Sequence, residues 1–137
     1  PLRPAPLEQP PGTLVQDLDG NALPRAPEWR VNLGAEAAWQ IAELGRLVVR
    51  ANYAWQSEIF FTVFNIDAGS QGSYGLFDAR AQFEHRSGAW DIALYGRNLS
   101  DETYFTNQIL TGTFYGAEFV GSLGAPRTYG LEFSYRL

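Results

Sequence analysis

Asp78, Glu84 and Asp91 are the residues whose type and spacing come closest to chemistry. Two carboxyls held on one face can divide the work of general acid and base or nucleophile, as in glycoside hydrolases. Here the same face also carries Arg46, Arg50 and Arg80, so ion pairs explain the three acids better than catalysis does. The stretch DLDGN, with Asp17, Asp19 and Asn21, has the start of a calcium loop. Its twelfth position is Glu28, but Pro24 and Pro27 interrupt the loop and further oxygen ligands are lacking. A surface turn is the expectation. His85 is the single histidine and precedes a tight turn, with no nucleophile pattern beside it; it is read as an exposed turn residue. Cysteine is absent, which removes disulfides, thiolate zinc sites and thiol nucleophiles. No catalytic residue, metal or cofactor is expected, and the chain is not read as an enzyme.

Aromatic residues are the better candidates, and for binding rather than catalysis. In SEIFFTVFNIDAGSQGSY, Phe60, Phe61 and Phe64 make a connection more apolar than an ordinary loop requires. Together with Tyr104, Phe105, Phe114 and Tyr115 they could line a vestibule for a small-molecule ligand. Packing of strand against loop, or of loop against loop, accounts for them equally well.

The elements that would position these residues show in the parity of the sequence. Trp29, Val31, Leu33, Ala35, Ala37 and Trp39 alternate with Arg30, Asn32, Gly34, Glu36 and Gln40. Leu47, Val49, Ala51, Tyr53 and Trp55 repeat the pattern, as do Phe77, Ala79, Ala81 and Phe83, then Trp90, Ile92 and Leu94. The last strand carries Tyr129, Leu131, Phe133, Tyr135 and Leu137 on one side and Glu132 and Arg136 on the other. The expected fold is all-β, an antiparallel meander. The turns at 40–44 and 85–89 are short and the connections at 57–73 and 106–118 are long, so one end of the sheet is trimmed and the other elaborated. Transmembrane β-barrels sort their loops in this way.

The parity breaks between Leu94 and Leu99, and a β-bulge around Gly96–Asn98 would restore it. That reading gives NLSDETY a structural role, with Asp101 and Glu102 at a hydrated edge. Residues 1–27 hold seven of the eight prolines and read as an extended extracellular loop, with strands following over 28–137.

Composition narrows the class. At a net charge of −5 the chain lacks the basic face that nucleic acid demands. No run approaches the roughly 18–20 apolar residues of a membrane helix, but strands cross a membrane by alternation instead. Trp29 and Trp39 share one face; at ~3.3 Å per residue and a tilt of about 40–45° their ten-residue separation spans about 24 Å, close to the ~25 Å apolar band of an outer-membrane barrel. Trp29, Trp55, Tyr74 and Tyr129 would then form an outer aromatic girdle, and Trp39 and Trp90 an inner one. The opposite face, with Arg30, Glu36, Asp78, Arg80 and Glu132 among others, would look onto water.

Two motifs carry a family likeness. The segment WDIALYGRNLSDETYF, with Asn98, Leu99, Ser100, Asp101 and Tyr104, and the closing GAPRTYGLEFSYRL, with Gly124, Pro126, Arg127, Tyr129 and Gly130, resemble the last two strands of TonB-dependent outer-membrane receptors. GNALPRAPEWRVNLGAE is similar to a loop and strand a few hairpins earlier. The chain ends in Leu137, where that family commonly ends in Phe. The resemblance implies the C-terminal part, about five strands, of an approximately 22-stranded barrel. It further implies a Gram-negative outer membrane, lipid outside, a plug and the remaining strands supplied by the same protein, and TonB engaged through an upstream segment. The activity implied is energised uptake of a scarce ligand such as a siderophore. Methionine is absent, including at position 1, so the chain is read as either processed or a piece of something longer. The alternative is a soluble β-sandwich or small barrel acting as a binding module, in which Leu33, Val49, Phe83 and Phe133 would meet in a dry core.

Overall fold

A computed structural model describes residues 18–112, 116 and 118–136. The described residues are built from antiparallel strands. These are β1 (Arg30–Ile41), β2 (Gly45–Gln56), β3 (Ile59–Phe60), β4 (Ser70–Gln71), β5 (Tyr74–His85), β6 (Trp90–Arg97), β7 (Phe105–Leu110), β8 (Phe119–Leu123) and β9 (Thr128–Tyr135). By their internal packing they fall into two compact units.

One unit is a five-stranded sheet in the order β1-β2-β5-β6-β9. Its register turns the alternation of each strand into continuous rows, because opposed residues in antiparallel strands point to the same face. Trp39, Leu47, Phe83, Ile92 and Phe133 form one row across all five strands. Ala37, Val49, Ala81, Leu94 and Leu131 form the next. The reverse face carries Gln40, Arg46, Glu84, Asp91 and Ser134, and then Glu36, Arg50, Arg80, Tyr95 and Gly130. A slip of one residue in any pairing would mix the two faces.

The apolar rows are not the core of a sandwich. Leu33 is 61 % exposed, Leu94 60 %, Leu131 61 % and Phe133 63 %. Val49 and Phe83 are half-buried beside their cross-strand neighbours. Among side chains of the sheet, the fully buried ones are on the charged face instead, at Val48, Asp91 and Ala93. The outer edges of β1 and β9 have no strand partner among the described residues, so the sheet is open at both edges.

The other unit contains residues 18–29, 57–73 and 104–124. It holds two small antiparallel pairs, β3 with β4 and β7 with β8, and a 3-10 turn at Asp67–Gly69. The β3–β4 pair lies within the connection expected at 57–73 and most of β7 within that expected at 106–118, whereas β8 lies past it, so the second connection is longer than parity indicates. At two or five to six residues these strands are too short to show a period.

Three further expectations need correction. Tyr74 stands in register with Gln56 and Arg30, on the charged face and not in an outer aromatic girdle on the apolar one. The other two concern the end of β6 and His85. No bulge interrupts β6: its register runs unbroken with β5 and β9 up to Gly96 and Arg97, and the chain then turns, with Asn98 and Asp101 at positive φ. The parity breaks because the strand stops. The register irregularity is in β7, between Phe105 and Asn107. His85 is not free in a turn. It closes β5 and stacks on Trp90 with ring centroids 4.9 Å apart, while its Nδ1 lies 2.8 Å from Ser87 Oγ. Leu137, Asp17 and residues 1–17 as a whole lie outside the described residues.

Candidate ligand-binding site

The charged face of the sheet is hollowed. Glu36, Arg50, Asn52, Asp78, Arg80 and Glu132 surround an open depression of about 470 Å³. Long side chains on this face can reach past a neighbouring strand, and they pair. Arg50 Nε lies 2.5 Å from Glu36 Oε2 between β2 and β1. Arg80 Nη1 lies 2.7 Å from Glu132 Oε2, a bridge from β5 to β9 that crosses β6 where Ala93 is 1 % exposed. Farther toward the short turns, Asp91 is 4 % exposed and accepts from Gln82 Nε2 and Arg136 Nη2, both at 3.3 Å. A buried carboxylate is tolerable only when so partnered.

Of the acids considered for catalysis, Asp91 alone has the expected ion pair, and Asp78 is held by a backbone amide instead. Asp78 Oδ1 accepts the Asn98 backbone amide at 2.8 Å. Glu84 stands in register between Arg46 and Asp91. Among the described residues no group of three metal-ligating side chains gathers. Asn21, from the calcium-like stretch, gives its side-chain amide to the Val63 carbonyl at 2.8 Å.

A smaller depression of about 270 Å³ lies on the same face at the end of the sheet where β2 and β9 meet the long connections. Arg30, Asn32, Ala54, Gln56, Tyr74 and Leu76 line it. Sequence reading placed Arg30 on the polar face but did not single out this group, because three strands contribute to it and only the register brings them together.

The turn after β6 explains the NLSDETY segment. Asn98 is 5 % exposed, and its Nδ2 donates to the carbonyls of Glu102 at 2.9 Å and Ala125 at 3.1 Å. Its Oδ1 accepts from the Glu102 amide at 2.9 Å. Ser100 Oγ donates to the Gly75 carbonyl at 2.9 Å, and Arg127 Nη2 lies 3.0 Å from Asp101 Oδ2. Asparagine suits this place because it tolerates left-handed φ and satisfies backbone groups locally. The two motifs read from sequence are therefore two halves of one clasp.

Within the loop unit, the aromatic candidates take different positions. Phe61 is 6 % exposed and sits with buried Ile59 in that unit's small core. Phe60 and Phe64 are half-buried. The half-buried Tyr104 ring lies over Gly124, where a Cβ would collide with it, and Phe105 likewise covers Gly121. Phe114 and Tyr115 are outside the described residues. Polar bonds missed in the sequence bind the segments of this unit. Asn65 Oδ1 accepts the Ala22 amide at 2.6 Å, Arg25 Nη2 donates to Asn107 Oδ1 at 2.6 Å, and Gln71 Oε1 accepts the Phe105 amide at 2.7 Å.

Comparison with known proteins agrees with this geometry. Among solved structures the chain is similar to the ferric yersiniabactin uptake receptor FyuA from Yersinia pestis, with a TM-score of 0.73 and 22 % sequence identity. The similarity covers 85 % of this chain and 17 % of that one, so the chain spans under a fifth of the receptor's length, and the likeness is one of fold. No curated protein matches the chain. Residues 11–99, well over half the sequence, match the family described as TonB dependent receptor-like, beta-barrel. The chain belongs to that β-barrel family.

Proposed function

We propose that this chain forms C-terminal wall strands of an outer-membrane receptor that takes up a scarce small molecule, such as a siderophore, by TonB-dependent active transport. The observation that carries the reading is the bare apolar face. Leu33, Leu94, Leu131, Phe133 and Tyr135 stand more than half exposed on β1, β6 and β9, and Tyr53 and Phe77 on β2 and β5 are 39 % exposed, opposite a face of ion pairs. At about 25 cal/mol per Å² such a surface is too costly to leave in water and is stabilised in acyl chains. A groove along Val49, Ala79, Ala81, Leu94, Gly96 and Leu131 fits the flexible tails of lipid.

On this reading the charged hollow faces the barrel lumen and its plug. Residues 1–27 and the long connections are extracellular. The outer edges of β1 and β9 are paired by other strands of the same protein, because open edges are not tolerated in lipid. Phe60, Phe64, Tyr104 and Phe105 border the ligand vestibule, and the buried Phe61 belongs to the small core of the loop unit that carries them. The role is transport, without covalent chemistry.

Partitioning tests the proposal. The full-length protein should fractionate with outer membranes, need detergent for extraction, and migrate faster on gels unheated than boiled. A cooperative melt in detergent-free buffer, with the protein in the soluble fraction, contradicts it and favours a binding module.

A further inference from the structure

Arginine partners distinguish one end of the charged face from its middle. Arg50, Arg80, Arg127 and Arg136 each have a carboxylate, and so does Arg86, which lies 2.6 Å from Glu43. Arg97 lies over the Tyr95 ring at 5.9 Å. Arg46 is directly opposed by Glu84 in register. Arg30 is exposed, directly opposed by the neutral Gln56, and makes no ion pair among the described residues.

The large central hollow offers a ligand no net charge, since its arginines are offset by Glu36, Asp78 and Glu132. The smaller depression is different. Its lining is one guanidinium without an ion pair among the described residues, two amides at Asn32 and Gln56, the phenol of Tyr74, and apolar surface from Ala54, Trp55 and Leu76. A guanidinium fork with amide donors is the chemistry that recognises a carboxylate or a similar planar anion. The apolar surface accepts the carbon skeleton beside it. At about 270 Å³ the space is below the ~300–1,000 Å³ of pockets that enclose a drug-sized molecule, and so suits one arm of a larger ligand.

We propose that this depression is a subsite for the anionic arm of the transported ligand, with Arg30 as the charge-reading residue, and hence that the ligand is an anionic chelate rather than a neutral one. The inference rests on the transport reading above and adds the ligand's charge to it. Arg30 reads the anion, Asn32 and Gln56 set its orientation, and Leu76 excludes water from one side.

The test uses the purified full-length receptor in detergent, in wild-type, Arg30→Gln and Arg30→Lys forms. The probes are ferric citrate, an anionic ferric tris-catecholate and a neutral ferric tris-hydroxamate, with binding followed by tryptophan fluorescence. At least one anionic chelate should bind more tightly than the neutral one. Arg30→Gln should weaken that binding about tenfold or more, the size expected for a charge-assisted hydrogen bond. Arg30→Lys should retain part of it, and raised salt should narrow the difference. Equal binding of the anionic chelate by wild type and Arg30→Gln, preference for the neutral chelate, or no binding of either anionic probe overturns the inference. Iron uptake by cells separates the two levels. Uptake of the neutral chelate sinks the subsite and leaves transport standing. A protein that partitions as soluble sinks both.

Discussion

The side-chain amide of Asn98 donates to the carbonyl oxygen of Ala125 at 3.1 Å, across 27 residues of chain. That bond ties the end of β6 to the approach to β9 and spans the whole excursion through β7 and β8. It makes a closed local structure of two stretches that are far apart in sequence.

Replacing Asn98 should therefore cost more than an exposed turn residue would. Asn98→Ala removes two donated bonds and one accepted one at a site 5 % exposed, and also strains the φ of 49°. Asn98→Gly removes the bonds without the strain. Losses of about 2–4 kcal/mol for alanine, and somewhat less for glycine, follow from about 1 kcal/mol per bond plus unsatisfied buried partners. Urea unfolding of the full-length receptor in detergent measures this, and wild-type midpoints for both variants would show that the clasp is dispensable.

Substitution by arginine on the two faces should give opposite results. Leu94→Arg puts a charge in the centre of the apolar rows and should destabilise the barrel in lipid by about 2–4 kcal/mol. Ala38→Arg, on the charged face of β1, should change stability by about 0.5 kcal/mol or less. Folding titrations into phospholipid vesicles compare the two, and equal costs would contradict the assignment of faces.

The bridge between Arg80 and Glu132 has partly exposed ends, so its worth is limited. A double-mutant cycle with Arg80→Gln and Glu132→Gln should give a coupling of about 0.2–1 kcal/mol that shrinks in high salt. A coupling several times larger would mean that water is excluded from the hollow.

Gly130 faces the Tyr95 ring, and a Cβ there would come within 2.6 Å of the Tyr95 hydroxyl. Gly130→Val should cost about 1–3 kcal/mol through displacement of the ring. Adding Tyr95→Ser should recover part of that loss, as judged by thermal stability in detergent.

In the loop unit, Gln71→Ala deprives the Phe105 amide of its acceptor. Hydrogen exchange at that amide should quicken by about tenfold, equivalent to about 1.4 kcal/mol of lost protection. Unchanged exchange would mean that β7 is held by its pairing with β8 alone.

What the sequence determined by itself is the set of long strands and the character of their faces. Alternation in β1, β2, β5, β6 and β9 is a period-two signal over eight to twelve residues, and each strand's own sequence carries it. The sorting of short turns and long connections is likewise local information. Tertiary structure decided the rest, because it depends on partners distant in the chain. Only the register aligns Arg80 with reach to Glu132, or gathers Arg30, Gln56 and Tyr74 at one depression. The stop at Arg97 looked like a bulge because parity cannot tell a displaced strand from an ended one; the Asn98 bonds decide it. Phe60, Phe61 and Phe64 read alike as residues, yet Phe61 alone is buried, since depth depends on what folds over a side chain and not on its type.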